Sequence, residues 1–288
     1  MTIPPLTEGI KLGPYQLQKV YSLDRYSCVY LAFDRNTSQQ VMIREFTPMG
    51  IAQRSSETHE IEPIPGHEKN YHEQLELFLQ FYNDLIPLIH DTLVETLGIY
   101  RVLGGGIAIQ KIAKGLLLPQ YAKQQKNDIN GECKHNMPQM IYALIHALRY
   151  LHTHDILHGN LTLETISIEV PKNICLHGIR CPFDFGMNEN TTMLYNENLA
   201  APETLLNMDK YDKRTEIYSL GACIYYMLTG QMLQRSDQRF YTNHQTNLMD
   251  DNQLKKSYSK QLLKSIDQSL QPIRENRFGS ANEWLLNL

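Results

Sequence analysis

The sequence predicts an α+β fold of two lobes, a small β-rich lobe over residues 1–113 and a helical lobe over residues 114–288. Two observations carry this reading. Most short runs rich in β-branched and aromatic residues fall in the first 112 residues. Beyond about residue 137 the apolar residues recur mainly at helical spacing. Strands first and helices afterwards is the order of a segregated α+β domain.

The elements follow in turn. Tyr15 to Val20 alternates, and Cys28 to Phe33 is β-branched and aromatic, so both read as strands. A third strand, Gln40 to Phe46, follows the turn Asp34-Arg35-Asn36-Thr37-Ser38. Residues 51–70 are polar and contain Pro63, Pro65 and Gly66, which predicts a long surface loop. Tyr71 to His90 places Leu75, Leu77, Phe78, Phe81, Leu85 and Leu88 at helical intervals, with Pro87 near the end. Leu97 to Val102 and Ile107 to Ile112 form a hairpin around Gly104-Gly105-Gly106. Pro138 to His152 is an amphipathic helix with Met140, Ala143, Leu144, Ala147, Leu148 and Leu151 on one face. Thr215 to Leu228 is apolar nearly all round, the mark of a buried helix. Lys260 to Leu270 and Ala281 to Leu288 are shorter helices.

Bulk properties narrow the function. Net charge is -4, from 27 basic and 31 acidic residues, which gives no electrostatic reason to expect nucleic acid as a partner. Cys28, Cys133, Cys175, Cys181 and Cys223 are scattered and odd in number, which suits a reducing compartment and argues against a disulfide frame or a zinc site. The N-terminus lacks a secretory pattern, and no apolar run reaches the ~18 residues of a membrane span. These features predict a cytoplasmic protein with no membrane insertion. His152, His154 and His158 do not have zinc-ligand spacing and read as structural.

Several motifs, in order and at workable spacing, resemble those of bacterial serine/threonine protein kinases across about residues 9–288. Residues His158 to Thr165 resemble the catalytic loop H-R-D-L-x-x-x-N. Val41 to Arg44 stands where V-A-I-K belongs, Ala201-Pro202-Glu203 is an A-P-E, and Glu216 to Gly221 resembles the start of the family's central buried helix. Arg277 fits the basic residue that pairs with the A-P-E Glu. The resemblance implies a bilobal protein-kinase-like fold. It also implies structural roles for His158, Glu203, Glu216 and Arg277, with Glu216 capping loop amides and Glu203–Arg277 a partly buried ion pair.

The departures carry the functional expectation. The catalytic Asp of the family is Asn160 here, an amide with no basic lone pair near neutral pH. The metal-binding Asn is Thr165. Counting back from Val29, the three glycines of the phosphate loop are Ser22, Asp24 and Ser27, and Asp24 would repel phosphate. The Lys of V-A-I-K is Arg44, whose planar fork does not replace a compact ammonium. Met42 and Val29 border the adenine position, where Met42 would fill space. The helix Glu that pairs with the Lys aligns with Phe81, with Gln80 the nearest polar residue. Two registers compete for the metal motif D-F-G. A short hairpin around Pro171-Lys172-Asn173 puts Gly178-Ile179-Arg180 there and is favoured by loop-length priors. A hairpin about six residues longer puts Asp184-Phe185-Gly186 there.

This pattern predicts a pseudokinase with no catalytic residues and no bound cofactor or metal, acting as a protein-binding scaffold or regulator. The contact surfaces expected are residues 51–70, residues 178–200 and Gln234 to Lys256. Thr191, Thr192 and Tyr195 could accept phosphate, although solvated loop residues are the plainer reading. The competing classes are a non-standard transferase using Asp24, Asp184, Arg44 and Arg180, and a nucleotide sensor without turnover.

Overall fold

The computed structural model describes residues 3–125, 136–169, 173–182, 196–206, 211–242 and 247–288. It divides into two compact units, one of Met1–His90 with Val94–Ile112, the other of Asp91–Leu93 with Ala113–Leu288.

The first unit is built on a six-stranded antiparallel sheet in the order β1-β2-β3-β4-β8-β7. Its strands are β1 (Lys11–Leu12), β2 (Tyr15–Leu23), β3 (Ser27–Asp34), β4 (Gln39–Phe46), β7 (Thr96–Val102) and β8 (Gly105–Gln110). Leu17, Tyr30, Ala32, Val41, Ile43, Ile107 and Ile109 form its core. β3 and β4 pair without a register shift from Ser27↔Phe46 to Asp34↔Gln39, which sets Val29 opposite Arg44 and Leu31 opposite Met42. A buried polar cluster braces this sheet. Tyr30 donates to Glu45 at 2.8 Å, and Arg54 pairs with the same carboxylate at 2.7 Å.

Three expectations change here. Residues 51–70 are not all loop, since β5 (Ala52–Arg54) and β6 (Ile61–Pro63) pair antiparallel and bury Ala52 and Ile61. Strands of three residues are too short to show a period. The helix α1 runs Glu68–Leu85 and ends before Pro87, with Tyr71, Leu75, Phe78, Tyr82 and Leu85 buried. Leu77 is exposed because it lies off that face. The β7–β8 turn is Leu103-Gly104, so Gly105 and Gly106 are strand residues. Gly104 needs its positive φ of 70° and its bare Cα, because a Cβ would stand 2.4 Å from the Ile61 carbonyl oxygen.

The second unit is mainly helical. The short strand β9 (Leu116–Leu117) leads into α2 (Leu118–Gln125), and α3 spans Met137–Thr153. α3 buries Met140, Leu144, Ala147, Leu148 and Leu151, together with Ile141 and Ile145. β10 (Ile166–Glu169) pairs with β11 (Asn173–Leu176) and with β9. α4 (Pro202–Leu205) precedes α5 (Lys213–Thr229), which is buried from Thr215 to Ile224. Asp212 caps α5 in a capping box with Thr215, and Gly230 ends it at φ 65°. α6 (Ser236–Thr242), α7 (Asn252–Ser257), α8 (Lys260–Ser269) and α9 (Ala281–Leu286) complete the unit. The stretch Gln234 to Lys256 is therefore partly structural, because Arg239 is buried and donates to the Tyr218 hydroxyl at 2.7 Å. Among the described residues no helix is long and apolar enough to cross a membrane.

Candidate functional site

The loop over residues 158–165 of the second unit is held by one buried carboxylate. Glu216, in the first turn of α5, accepts from the Gly159 backbone N–H at 2.6 Å and from the Tyr211 hydroxyl at 3.0 Å. Its other oxygen lies 2.8 Å from His152 Nε2. Burial pushes the Glu216 carboxyl up, but the hydrogen bond and charge of His152, with His158 and the Gly159 N–H, outweigh it and hold it low. His158 is fully buried. Its Nδ1 accepts from the Asn160 N–H at 3.2 Å, and burial lowers its pKa to about 4. His177 is lowered to about 4 by burial as well, beside the Ser167 hydroxyl at 2.9 Å.

Above this base Asn160, Thr165 and Gly178 come together. The Asn160 side-chain amide donates to the Gly178 carbonyl at 3.1 Å. The Thr165 hydroxyl accepts from the Thr162 N–H at 3.0 Å and lies 2.9 Å from the Asn160 carbonyl oxygen. Gly178 has φ 76°, and a Cβ there would sit 3.0 Å from Thr165 Cγ2 and 3.4 Å from Asn160 Nδ2. Ile179 is buried, and the Arg180 N–H donates to the His158 carbonyl at 3.0 Å. A small cleft of about 30 Å³ is lined by Asn160, Thr162, Arg180, Leu199 and Tyr211 among others.

Magnesium accompanies ATP in phosphoryl transfer, and a hard cation asks for carboxylate or carbonyl oxygens turned toward one point. Positions 160, 165 and 178 supply an amide, a hydroxyl and a glycine with no carboxylate among them, and the Thr165 hydroxyl is engaged with the Asn160 and Thr162 carbonyls. These three positions do not fit the ion. Among the described residues no group of three or more His, Cys, Asp or Glu could hold a metal, and this includes His152, His154 and His158. Asp184-Phe185-Gly186, Thr191, Thr192, Tyr195, Cys133 and most of residues 178–200 lie outside the described residues.

Glu203 and Arg277 form a bidentate pair at 2.8 and 2.9 Å. The expectation of partial burial is corrected: Glu203 is 5% exposed and Arg277 3%. Arg277 also donates to the Gln271 and Pro272 carbonyls and lies 4.8 Å from the Tyr218 ring centre. Its rigid fork satisfies several acceptors at once, and this makes full burial tolerable.

In the first unit Arg44 is buried and reaches the Ser27 hydroxyl at 2.6 Å and Asp24 at 3.4 Å. Asp24 closes the turn that leads into β3. It accepts from the Tyr26 and Ser27 N–H groups and from the Ser27 hydroxyl. The D-x-x-S spacing of an Asx turn was the signal for this in the sequence. Ser22 is exposed, Val29 is buried and Met42 is half-buried. Phe81 stacks edge-on against Tyr82, and Gln80 bonds Asp84 on its own helix.

Comparison with known proteins bears on all of this. The protein kinase domain family matches residues 25–285. The serine/threonine-protein kinase PLK4 of Danio rerio is 23% identical over 226 residues, 77% of this chain and 22% of that protein. The chain therefore spans about a fifth of the length of such relatives. The solved structure of the PpkA-294 apo form superposes with a TM-score of 0.75 at 20% identity, covering 99% of both chains. The Mycobacterium tuberculosis PknI kinase domain gives a TM-score of 0.61 at 15% identity, covering 98% of both chains. These structural likenesses establish the kinase fold, a β-sheet N-terminal part with a helical C-terminal part.

The expectation that the chain is not an enzyme is overturned by these findings. The family it matches and the relatives it resembles are kinases. The physical flaw in that expectation was to treat motif loss as loss of activity. Phosphoryl transfer asks little covalent chemistry of the protein and depends on positioning and electrostatics spread over many groups. Losing particular side chains changes those contributions and does not by itself abolish the reaction.

Proposed function

The chain belongs to the protein kinase family, and we propose that within it this domain works chiefly by recognising a protein partner. Phosphoryl transfer by this domain would draw on groups other than the side chains at 160, 165 and 178. The observation that supports the reading is the closed hydrogen-bonding of Asn160 and Thr165 around Gly178. Those groups hold the loop in shape. The groups that fix the second unit, Glu203, Arg277 and Glu216, are fully engaged.

The partner is a protein in the cytoplasm, and the net charge of -4 gives no reason to prefer nucleic acid. Exposed residues of 51–70 and of Gln234 to Lys256 are the proposed contact surfaces. The test is retention of a partner purified with the tagged protein. Retention is expected to survive Asn160→Ala and withdrawal of ATP, and to fall on alanine replacement of exposed residues in those two stretches. Retention that follows ATP and is lost in Asn160→Ala would replace the recognition reading by a catalytic one.

A further inference from the structure

The N-terminal segment is held on the sheet of the first unit by a closed ring of side chains. Ile3 and Leu6 are buried, while Pro4 and Pro5 between them are exposed. Leu6 joins the core formed by Leu17, Tyr30, Val41 and Ile43. The Leu6 N–H donates to the Tyr30 hydroxyl at 2.9 Å, and that hydroxyl donates to Glu45. Arg54 pairs with the same Glu45 oxygen and donates its Nε–H to the Pro4 carbonyl at 2.8 Å. One ion pair thus grips a carbonyl and an N–H of the segment at once. The Arg54 and Glu45 side chains are each 3% exposed, so the grip belongs to the body of the unit.

The segment is held as a docked peptide is held. A proline has its own φ fixed and drives the residue before it toward polyproline II. Ile3 and Pro4 both precede a proline. Polyproline II repeats about every three residues, which sets positions 3 and 6 on one face and the prolines outward. Among the described residues, 3–8 make no backbone–backbone hydrogen bond to the sheet, and the first one runs from the Gly9 N–H to the Leu17 carbonyl. The segment can therefore leave without breaking a strand ladder. We propose that this face is a docking seat for an extended apolar-Pro-x-apolar segment of a partner protein, occupied at rest by the chain's own Ile3-Pro4-Pro5-Leu6. The partner segment replaces the resident one, fills the same two apolar positions and takes the same hydrogen bonds from Arg54 and to Tyr30. Its proline preorganises it, so docking costs little chain entropy.

This deepens the protein-recognition reading and rests on it for the partner, while its test uses a synthetic peptide, so that each can fail without the other. The probe is a fluorescent peptide of residues 3–10, and the receptor is the full chain carrying Ile3→Ser/Leu6→Ser, which frees the seat. Fluorescence anisotropy is expected to show binding to this variant roughly tenfold or more tighter than to wild type, where the resident segment competes. A Leu6→Ala peptide is expected to bind roughly tenfold more weakly, the scale of one buried leucine. No binding by a folded double variant, or equal binding of the two peptides, would overturn the proposal. If urea shows that the double variant does not fold, amide exchange of the wild type decides. The Leu6 N–H is expected to exchange about a hundredfold faster than the Ile43 N–H of β4, because local opening is enough to release it. Equal rates would make the segment part of the core and overturn the proposal. A wild-type dimer that the peptide converts to monomer would put a second copy's segment in the seat and overturn the assignment to a partner.

Discussion

The Glu203–Arg277 pair and the Asn160–Thr165–Gly178 cluster belong to the same unit, and they solve burial in opposite ways. At the first, two opposite charges are buried and satisfied by several partners. At the second, neutral groups close on one another and on the backbone. This unit therefore keeps charge at Glu203 and Arg277, where it holds the fold, and carries neutral groups at positions 160, 165 and 178. Glu216 joins the two schemes, because it is a charged group that supports the neutral loop through the Gly159 N–H.

The comparison can be broken most forcefully at the pair itself. Arg277→Ala leaves a buried Glu203 carboxylate without its partner and is expected to destabilise by about 3–5 kcal/mol. Urea unfolding measures this, and a loss below about 1 kcal/mol would mean the pair does not anchor the unit. Acid comes next. His158 is buried and His177 half-buried, with pKa values lowered from 6.5 to about 4. The unfolded chain therefore binds these protons first as pH falls. Stability from each is complete above the unfolded value and is lost as pH falls toward the folded one, by up to roughly 3 kcal/mol for His158. Unfolding curves from pH 7 to 4 check it, and a His158→Leu variant is expected to show a shallower acid limb.

The neutral cluster itself predicts a smaller effect. Gly178→Ala forces a side chain into left-handed backbone and against Thr165, with an expected loss of about 1–2 kcal/mol. A neutral outcome in the same urea assay would mean that the loop can shift to accept a Cβ. The smallest effect belongs to a charge pair that holds nothing. Arg101 and Glu76 are both more than half exposed, so Glu76→Ala is expected to change stability by less than about 0.5 kcal/mol. An effect the size of the Arg277 one would erase the distinction between anchoring and surface charge.

Much of the fold was legible because long elements advertise their period. β3, β4 and α3 lie within a residue or so of where alternation and helical spacing put them. The β5–β6 hairpin was not, since three-residue strands carry no period and sit in a polar stretch. Leu77 looked inward because its neighbours are apolar, yet α1 turns it to solvent. At the site, spacing was enough to nominate Asn160, Thr165 and Gly178, which the structure brings together. Charge relations were harder. Asp24 reads as a repulsive carboxylate in the sequence, and only the turn at Tyr26 and Ser27 converts it into an acceptor beside Arg44. The full burial of Glu203–Arg277 likewise depends on carbonyls 271 and 272, which no motif announces.

On the proposed function, positions 160 and 165 shape a loop and do not hold a metal–nucleotide complex. Thermal unfolding of wild type, Asn160→Ala and Thr165→Ala, each with ATP in magnesium and in EDTA, tests it most directly. A ligand at a hundredfold excess over its dissociation constant stabilises the folded state by about 2.7 kcal/mol, well within reach of such a measurement. The difference between magnesium and EDTA is predicted to be the same in all three proteins. A magnesium-dependent rise in the wild-type midpoint that disappears in either variant would contradict the account.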